Sequence, residues 1–296
     1  MYKVDNAIIM AAGASSRFAP LSYERPKALI KVKNEILIER QIKQLQQAGI
    51  SEIYIVVGYM AEKFRYLEEK FQVRLIKNDT YLFRNNHSSI YAARSVIRNT
   101  YICSADNYFE QNPFELEVDE SYYAAVWSKG PTNEWCMAIN DADYITNVEI
   151  GGRDAWCMLG HAFWSEPFSR RFLSILDTEY DLPQTKPLFW ENIFINHINE
   201  LDMRIRRYPD GYIYEFDTIA ELRQFDVSYV TDTRSAILKE IARTLNGVEA
   251  QIKEITAYTG SNTTAEGIFF TFQGARYSYR YADRKIRRIT DGESNP

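Results

Sequence analysis

Short apolar runs alternate with amphipathic stretches over the first hundred residues. Residues 7–10, 52–57, 73–76 and 100–104 read as strands, because continuous apolar runs of this length suit strands buried on both faces. Between them, residues 37–48, 60–71 and 90–96 place apolar side chains at helical spacing, and Gly49 follows the first of these helices. The alternation predicts an α/β fold with a Rossmann-like, mixed but mostly parallel sheet flanked by helices.

From Tyr122 the pattern becomes strand-rich. Residues 122–128, 135–139, 145–150 and 156–164 read as strands, the middle ones joined in a meander with Asn140-Asp141-Ala142-Asp143 as a turn. Helices are expected over 167–178 and 188–200, and strands over 203–207 and 213–216. Beyond residue 228 the character changes again. A helix over 235–245 stops near Asn246-Gly247, and strands over 255–259, 268–272 and 275–281 form an antiparallel piece turning at Gln273-Gly274. Residues 291–296 read as a frayed tail. The expected organisation is a main domain over 1–228 and a small helix-plus-hairpin extension over 229–296.

The chemistry begins where the first strand ends. Ala11, Ala12, Gly13, Ala14 and Ser15 are small, so backbone N–H groups there can approach an anion, and Arg17 and Lys27 add positive charge to the same ligand. A nucleotide is implied. In an open α/β sheet, ligands sit beyond the carboxyl ends of the strands, which is where Gly13, Ala105-Asp106 and the 215–217 region are expected. Glu215 and Asp217 are two positions apart in an extended segment and point to one side. If that segment returns beside the sheet, Asp106, Glu215 and Asp217 can hold one Mg²⁺ that also touches phosphate oxygens.

Composition narrows the classes. The chain has 296 residues, 46% of them hydrophobic, and a net charge of -5. That is globular, and it supplies no global positive field for a nucleic acid polymer. No apolar run is long enough to span a bilayer. The start runs straight into a motif-bearing strand, which argues against a secretion signal. The three cysteines and three histidines lack the spacing of a disulfide framework or a zinc site. A cytoplasmic protein using a hard cation is expected.

The pattern Ala-Ala-Gly-x-x-Ser-Arg-Phe-x-Pro-Leu, followed by Arg25-Pro26-Lys27-Ala28-Leu29, resembles the signature of sugar nucleotidyltransferase-like pyrophosphorylases. The resemblance implies a loop that grips a nucleoside triphosphate, a lysine on its phosphates and a carboxylate-held metal. Residues 2–228 further resemble the bacterial CTP:phosphocholine cytidylyltransferases, through Val57-Gly58-Tyr59, Asn85-Asn86-x-Ser88-Ser89-Ile90-Tyr91, Ala105-Asp106-Asn107-Tyr108, Thr132-Asn133-Glu134-Trp135 and Trp190-Glu191-Asn192. That implies Lys27, Arg17 and Asp106 as catalytic residues. It implies Gly58, Tyr59, Asn85, Ser88, Ser89 and Ala105 at the nucleotide, and Glu134, Trp135, Trp190 and Glu191 at the acceptor. A quaternary ammonium donates no hydrogen bond, so aromatic faces and carboxylates must recognise it.

The expected reaction is Mg²⁺-dependent transfer of CMP from CTP to phosphocholine. Gly130-Pro131 departs from the pattern. An acceptor such as 2-aminoethylphosphonate, a sugar-phosphate nucleotidyltransferase and a non-catalytic nucleotide-binding domain stay open as alternatives. The extension resembles the start of a choline kinase-like small lobe, with Thr259-Gly260-Ser261-Asn262-Thr263 as its loop and Tyr277-Ser278-Tyr279-Arg280 at its hairpin. Without the large lobe no kinase activity is expected. Docking on the main domain, on a second copy or on a kinase partner is expected, because so small a piece cannot sustain its own core.

Overall fold

The computed structural model describes residues 1–259 and 265–289. The chain divides into two compact units: Met1–Gly13 with Leu37–Glu215, and Ala14–Ile36 with the chain from Phe216 onward. This differs from the expected cut at residue 228, because the early segment Ala14–Ile36 belongs with the C-terminal part.

The first unit is built on a seven-stranded sheet. Its strands are β1 (Asn6–Ala11), β2 (Ile53–Val57), β3 (Arg74–Lys77), β4 (Thr100–Ser104), β5 (Tyr122–Ile139), β6 (Ile145–Trp164) and β7 (Arg204–Tyr208), in the order β7-β5-β6-β4-β1-β2-β3. β1 pairs in parallel with both β2 and β4, so Ile8 lies between Tyr54 and Ile102. β2 and β3 are parallel, as are β5 and β7, while β6 runs antiparallel to β4 and β5. The fold is Rossmann-like α/β with a mixed, mostly parallel sheet. Ala7, Ile8, Ile9, Ile55 and Val56 are fully buried, which is why these strands read as continuous apolar runs.

This unit also contains helices α1 (Leu37–Gln47), α2 (His87–Ala93), α3 (Glu166–Glu179) and α4 (Trp190–Asn196). α1 buries Leu37, Ile38, Ile42 and Leu45, the stripe that its sequence spacing predicts. The helix expected over 60–71 is broken into a 3₁₀ turn, Ala61–Phe64, and a short α-helix, Tyr66–Phe71. The four strands expected between 122 and 164 are two long ones with register shifts on either side of Pro131-Thr132. They fold back on themselves, so Cys136 faces both Glu149 and Cys157. The turn between them is where it was expected. Asn140 Oδ1 accepts from the Ala142 and Tyr144 N–H groups, and Asp143 takes the left-handed conformation at φ 64°.

In the second unit, α5 (Ile219–Phe225) starts with a capping box in which Thr218 and Glu221 satisfy each other's N–H groups. α6 (Ala236–Thr244) follows. After it comes an antiparallel sheet of β8 (Ile252–Thr259), β9 (Ala265–Phe272), β10 (Ala275–Arg280) and β11 (Lys285–Arg288), in that order. The β9–β10 turn has φ 47° at Gln273 and 78° at Gly274, the backbone that a two-residue hairpin needs. β11 lies in no expected element, because three of its four residues are charged and leave no apolar alternation. The expected loop at 260–263 and the tail at 291–296 lie outside the described residues. Among the described residues no helix is long and apolar enough to cross a membrane.

Candidate active site

The small-residue loop crosses from the first unit to the second between Gly13 and Ala14. Ala11 and Ala12 are buried at the end of β1. Gly13 is exposed, and a Cβ placed on it would meet nothing within 4 Å, so its surroundings are open. Gly58 is the opposite case. A Cβ there would lie 2.7 Å from the Tyr81 ring and 2.8 Å from the Ala12 carbonyl oxygen, and the next residue, Tyr59, donates its N–H to that same carbonyl at 3.0 Å. Gly58 and Tyr59 therefore brace the root of the loop. Ala105 does so from the other neighbouring strand, donating its N–H to Met10 O at 3.2 Å.

In the second unit, Ser15 has left-handed backbone (φ 49°) and leads into the 3₁₀ turn Ser16–Phe18. Arg17 Nη1 lies 2.8 Å from Asp217 Oδ2, and Lys27 Nζ lies 3.6 Å from Asp217 Oδ1. The two expected phosphate-binding cations thus share one carboxylate. They differ in setting: the Arg17 side chain is 75% exposed, whereas Lys27 is 4% exposed and sits over the Phe18 ring. Asp217, expected as a metal ligand, holds these two cations in place.

In the first unit, Asp106 follows β4 on a loop that α1 grips from beneath. Gln41 Nε2 donates to Ser104 O (2.8 Å) and Asn107 O (2.9 Å), and Arg40 Nε donates to Phe109 O (3.0 Å). The short strand Asn107–Phe109 pairs with Ile213–Glu215, setting Glu215 opposite Asn107, whose Nδ2 donates to Glu215 Oε2 at 3.4 Å. Both acids act on one buried phenol. Burial first, then the charges of Glu191, Glu215 and Asp106, push the Tyr123 hydroxyl well above the usual tyrosine range.

Among the described residues, no group of three or more His, Cys, Asp or Glu side chains is gathered as a metal centre. Asp106 and Glu215 are hard oxygen donors. A small divalent ion that keeps its waters and takes phosphate oxygens needs only one or two carboxylates, and this pair fits that requirement.

Asn85, Ser88 and Ser89 surround the start of α2. Ser88 and Ser89 are buried, with Asn78 Nδ2 donating to their hydroxyl oxygens at 2.8 and 3.2 Å, and Ser88 Oγ donating to Asn85 O. Both were expected at the base edge; their hydroxyls are turned inward at the helix start. The Asn85 side chain is likewise engaged locally, donating to Pro187 O at 3.1 Å.

The residues expected at the acceptor lie near the N-terminus of α4. Trp190, expected as one wall of an aromatic cage, is 1% exposed; its ring stacks on Tyr123 and meets Trp164 edge to face. It is a core side chain. The partly exposed aromatic pair is instead Trp135 with Phe189, centroids 5.9 Å apart and nearly perpendicular. Glu134 is exposed beside it. Glu191 is only half-buried as a residue, yet its carboxyl is enclosed: Asn86 Nδ2 donates to Oε2 and Tyr123 Oη to Oε1, both at 3.1 Å. Burial pushes this carboxyl up to about 7 against those hydrogen bonds.

Sequence reasoning missed Phe189, Tyr123, Asn86 and Gln41. Gln41 left a signal: it is a polar residue on the apolar stripe of α1. Phe189 stands next to a larger aromatic, Trp190, and its sequence carries no separate signal.

Residues 7–113 match the MobA-like NTP transferase domain family. A choline-phosphate cytidylyltransferase from Streptococcus pneumoniae is 35% identical over 220 residues, 74% of this chain and 96% of that protein. The chain belongs to this cytidylyltransferase family. A 2-aminoethylphosphonate cytidylyltransferase from Lancefieldella rimae is 39% identical over 234 residues, 78% of this chain and 95% of its own length. The solved structure of the Streptococcus pneumoniae CTP:phosphocholine cytidylyltransferase superposes with a TM-score of 0.72 at 35% identity, covering 75% of this chain and 97% of that one. The nucleotidyltransferase domain is thus a catalytic one, homologous to characterised cytidylyltransferases. About a quarter of the chain lies outside what these relatives match.

Proposed function

We propose that this cytidylyltransferase transfers CMP from CTP to phosphocholine, giving CDP-choline and pyrophosphate. One observation carries the reading. The Tyr123 phenol hydrogen-bonds Glu191 and is raised by the charges of Glu215 and Asp106. The acid proposed for the acceptor's cation is thus hydrogen-bonded to a phenol within electrostatic reach of the acids proposed for the reacting phosphates. A molecule carrying a phosphate and a cation a few bonds apart suits such an array.

An acceptor phosphate oxygen attacks the α-phosphorus of CTP, and the bond to the pyrophosphate oxygen breaks. The acceptor is already anionic at neutral pH, so the protein need supply no nucleophile or general base. Its contribution is electrostatic: Arg17 and Lys27, both paired with Asp217, bind triphosphate oxygens. Asp106 and Glu215 would hold Mg²⁺, which when bound neutralises further phosphate charge. Trp135 and Phe189 offer ring faces to the trimethylammonium group, with Glu134 and Glu191 supplying negative charge.

A second reading has its own support. Burial of Trp190 removes one expected cage wall, and the relative at 39% identity is named for 2-aminoethylphosphonate. A primary ammonium would donate hydrogen bonds to Glu191 rather than seek ring faces. Steady-state turnover of CTP with each acceptor separates the two. A higher kcat/KM for phosphocholine is expected, and a strong preference for 2-aminoethylphosphonate would replace the first reading by the second.

A further inference from the structure

The segment that carries Arg17 and Lys27 is packed by the C-terminal extension, which the resemblance over residues 2–228 leaves out. β8 runs alongside the Ser16–Phe18 turn. Tyr23 and Tyr281 stack with centroids 3.9 Å apart and rings inclined by 22°. Glu24 Oε1 accepts from the Ile237 N–H at 3.0 Å, at the start of α6. Lys31 O accepts from Tyr229 Oη at 2.6 Å and from Arg234 Nη1 at 3.2 Å. The backbone around Lys27 is therefore anchored on both sides, at residues 23–24 and at residue 31, by residues beyond 228.

These anchors bear on the cations directly. Arg17 is exposed and, among the described residues, is held by an ion pair to Asp217, a weak restraint in water. A short 3₁₀ turn likewise has little rigidity of its own. The extension supplies what the turn lacks: a strand laid against it and an aromatic stack at Tyr23, four residues before Lys27. Its own core, with Leu238, Ile241, Ile252, Phe269 and Phe270 buried, makes it a firm support.

We infer that the C-terminal extension is a positioning element for the triphosphate-binding segment, with Tyr23 and Tyr281 as its positioning residues. This rests on the reading that Arg17 and Lys27 bind the triphosphate of CTP. Neither tyrosine touches the nucleotide in this account; they act by holding the segment that does.

The test is CTP binding by titration calorimetry on the full chain, with no acceptor present. Tyr23 is 44% exposed, so Tyr23→Ala should leave the protein folded. An aromatic pair of this kind contributes about 0.7–1.4 kcal/mol, within the usual range, so Tyr23→Ala and Tyr281→Ala should each weaken CTP binding roughly three- to tenfold. Tyr23→Phe should restore it, and the double alanine variant should be no weaker than the singles, because both remove one contact. A purely structural role would lower the melting temperature and leave CTP affinity alone. Wild-type binding of CTP with both alanine variants within twofold would overturn the inference while leaving the functional reading intact. No CTP binding by the wild type would overturn that reading, and the inference with it.

Discussion

The two units hold their charged groups in opposite ways. In the first, Glu191 is fixed by Asn86 and Tyr123 inside an enclosed network, and the Asp106 loop is bonded to α1 through Gln41 and Arg40. In the second, an exposed Arg17 and a buried Lys27 share the half-buried Asp217. Enclosure fixes geometry but alters protonation. An exposed ion pair keeps its charge but needs outside support to hold its geometry. Charge that must stay available and geometry that must stay fixed are thus met by different kinds of setting.

The largest expected effect bears on the second unit. Lys27→Ala should lower kcat by about 10²–10³, as for loss of one well-placed electrostatic donor. Arg17→Ala should cost less because that charge is solvated; equal losses would erase the contrast between them. In the first unit, Asp106→Ala should leave a folded protein with almost no turnover, checked by circular dichroism alongside pyrophosphate release. Near-normal turnover would remove Asp106 from the reaction.

The acceptor region gives a sharper split. Trp190→Ala should cost about 3–5 kcal/mol of stability, as for other large aromatics removed from a core. Trp135→Ala should leave denaturant stability within about 1 kcal/mol and raise KM for the acceptor instead, since its ring is only partly covered. A reversed pattern would return Trp190 to the cage. Gly58→Ala should be smaller, about 1–3 kcal/mol, since its Cβ would press on the Ala12 carbonyl and the Tyr81 ring.

The pH dependence follows from Glu191, whose carboxyl burial lifts from 4.5 to about 7. The folded state favours its proton, so that contribution to stability is fully present below about pH 4.5 and is lost as pH rises through about 7. Negative charge for the acceptor's cation appears over the upper part of the same range. KM for the acceptor should therefore fall as pH rises from 6 to 8, and Glu191→Gln should flatten that change. An unchanged pH profile in the variant would detach Glu191 from acceptor binding.

Much of the fold was legible because buried parallel strands carry their signal locally: β1, β2 and β4 fall within one or two residues of their apolar runs. Their family resemblance added the loop and the acids. What was not legible depended on side-chain direction. Nothing in Trp190-Glu191 says which of two neighbours faces the core, and nothing in Ser88-Ser89 says that Asn78 bonds both hydroxyls. The partnership of Ala14–Ile36 with the C-terminal part joins residues about two hundred positions apart, beyond the reach of any local pattern.

The most direct measurement follows the phosphorus nuclei of CTP by NMR while the purified protein turns over with Mg²⁺ and phosphocholine. Cleavage at the α-phosphorus predicts a pyrophosphate signal growing in step with the paired signals of CDP-choline. CTP left intact, or cut to CDP and inorganic phosphate, would contradict the account.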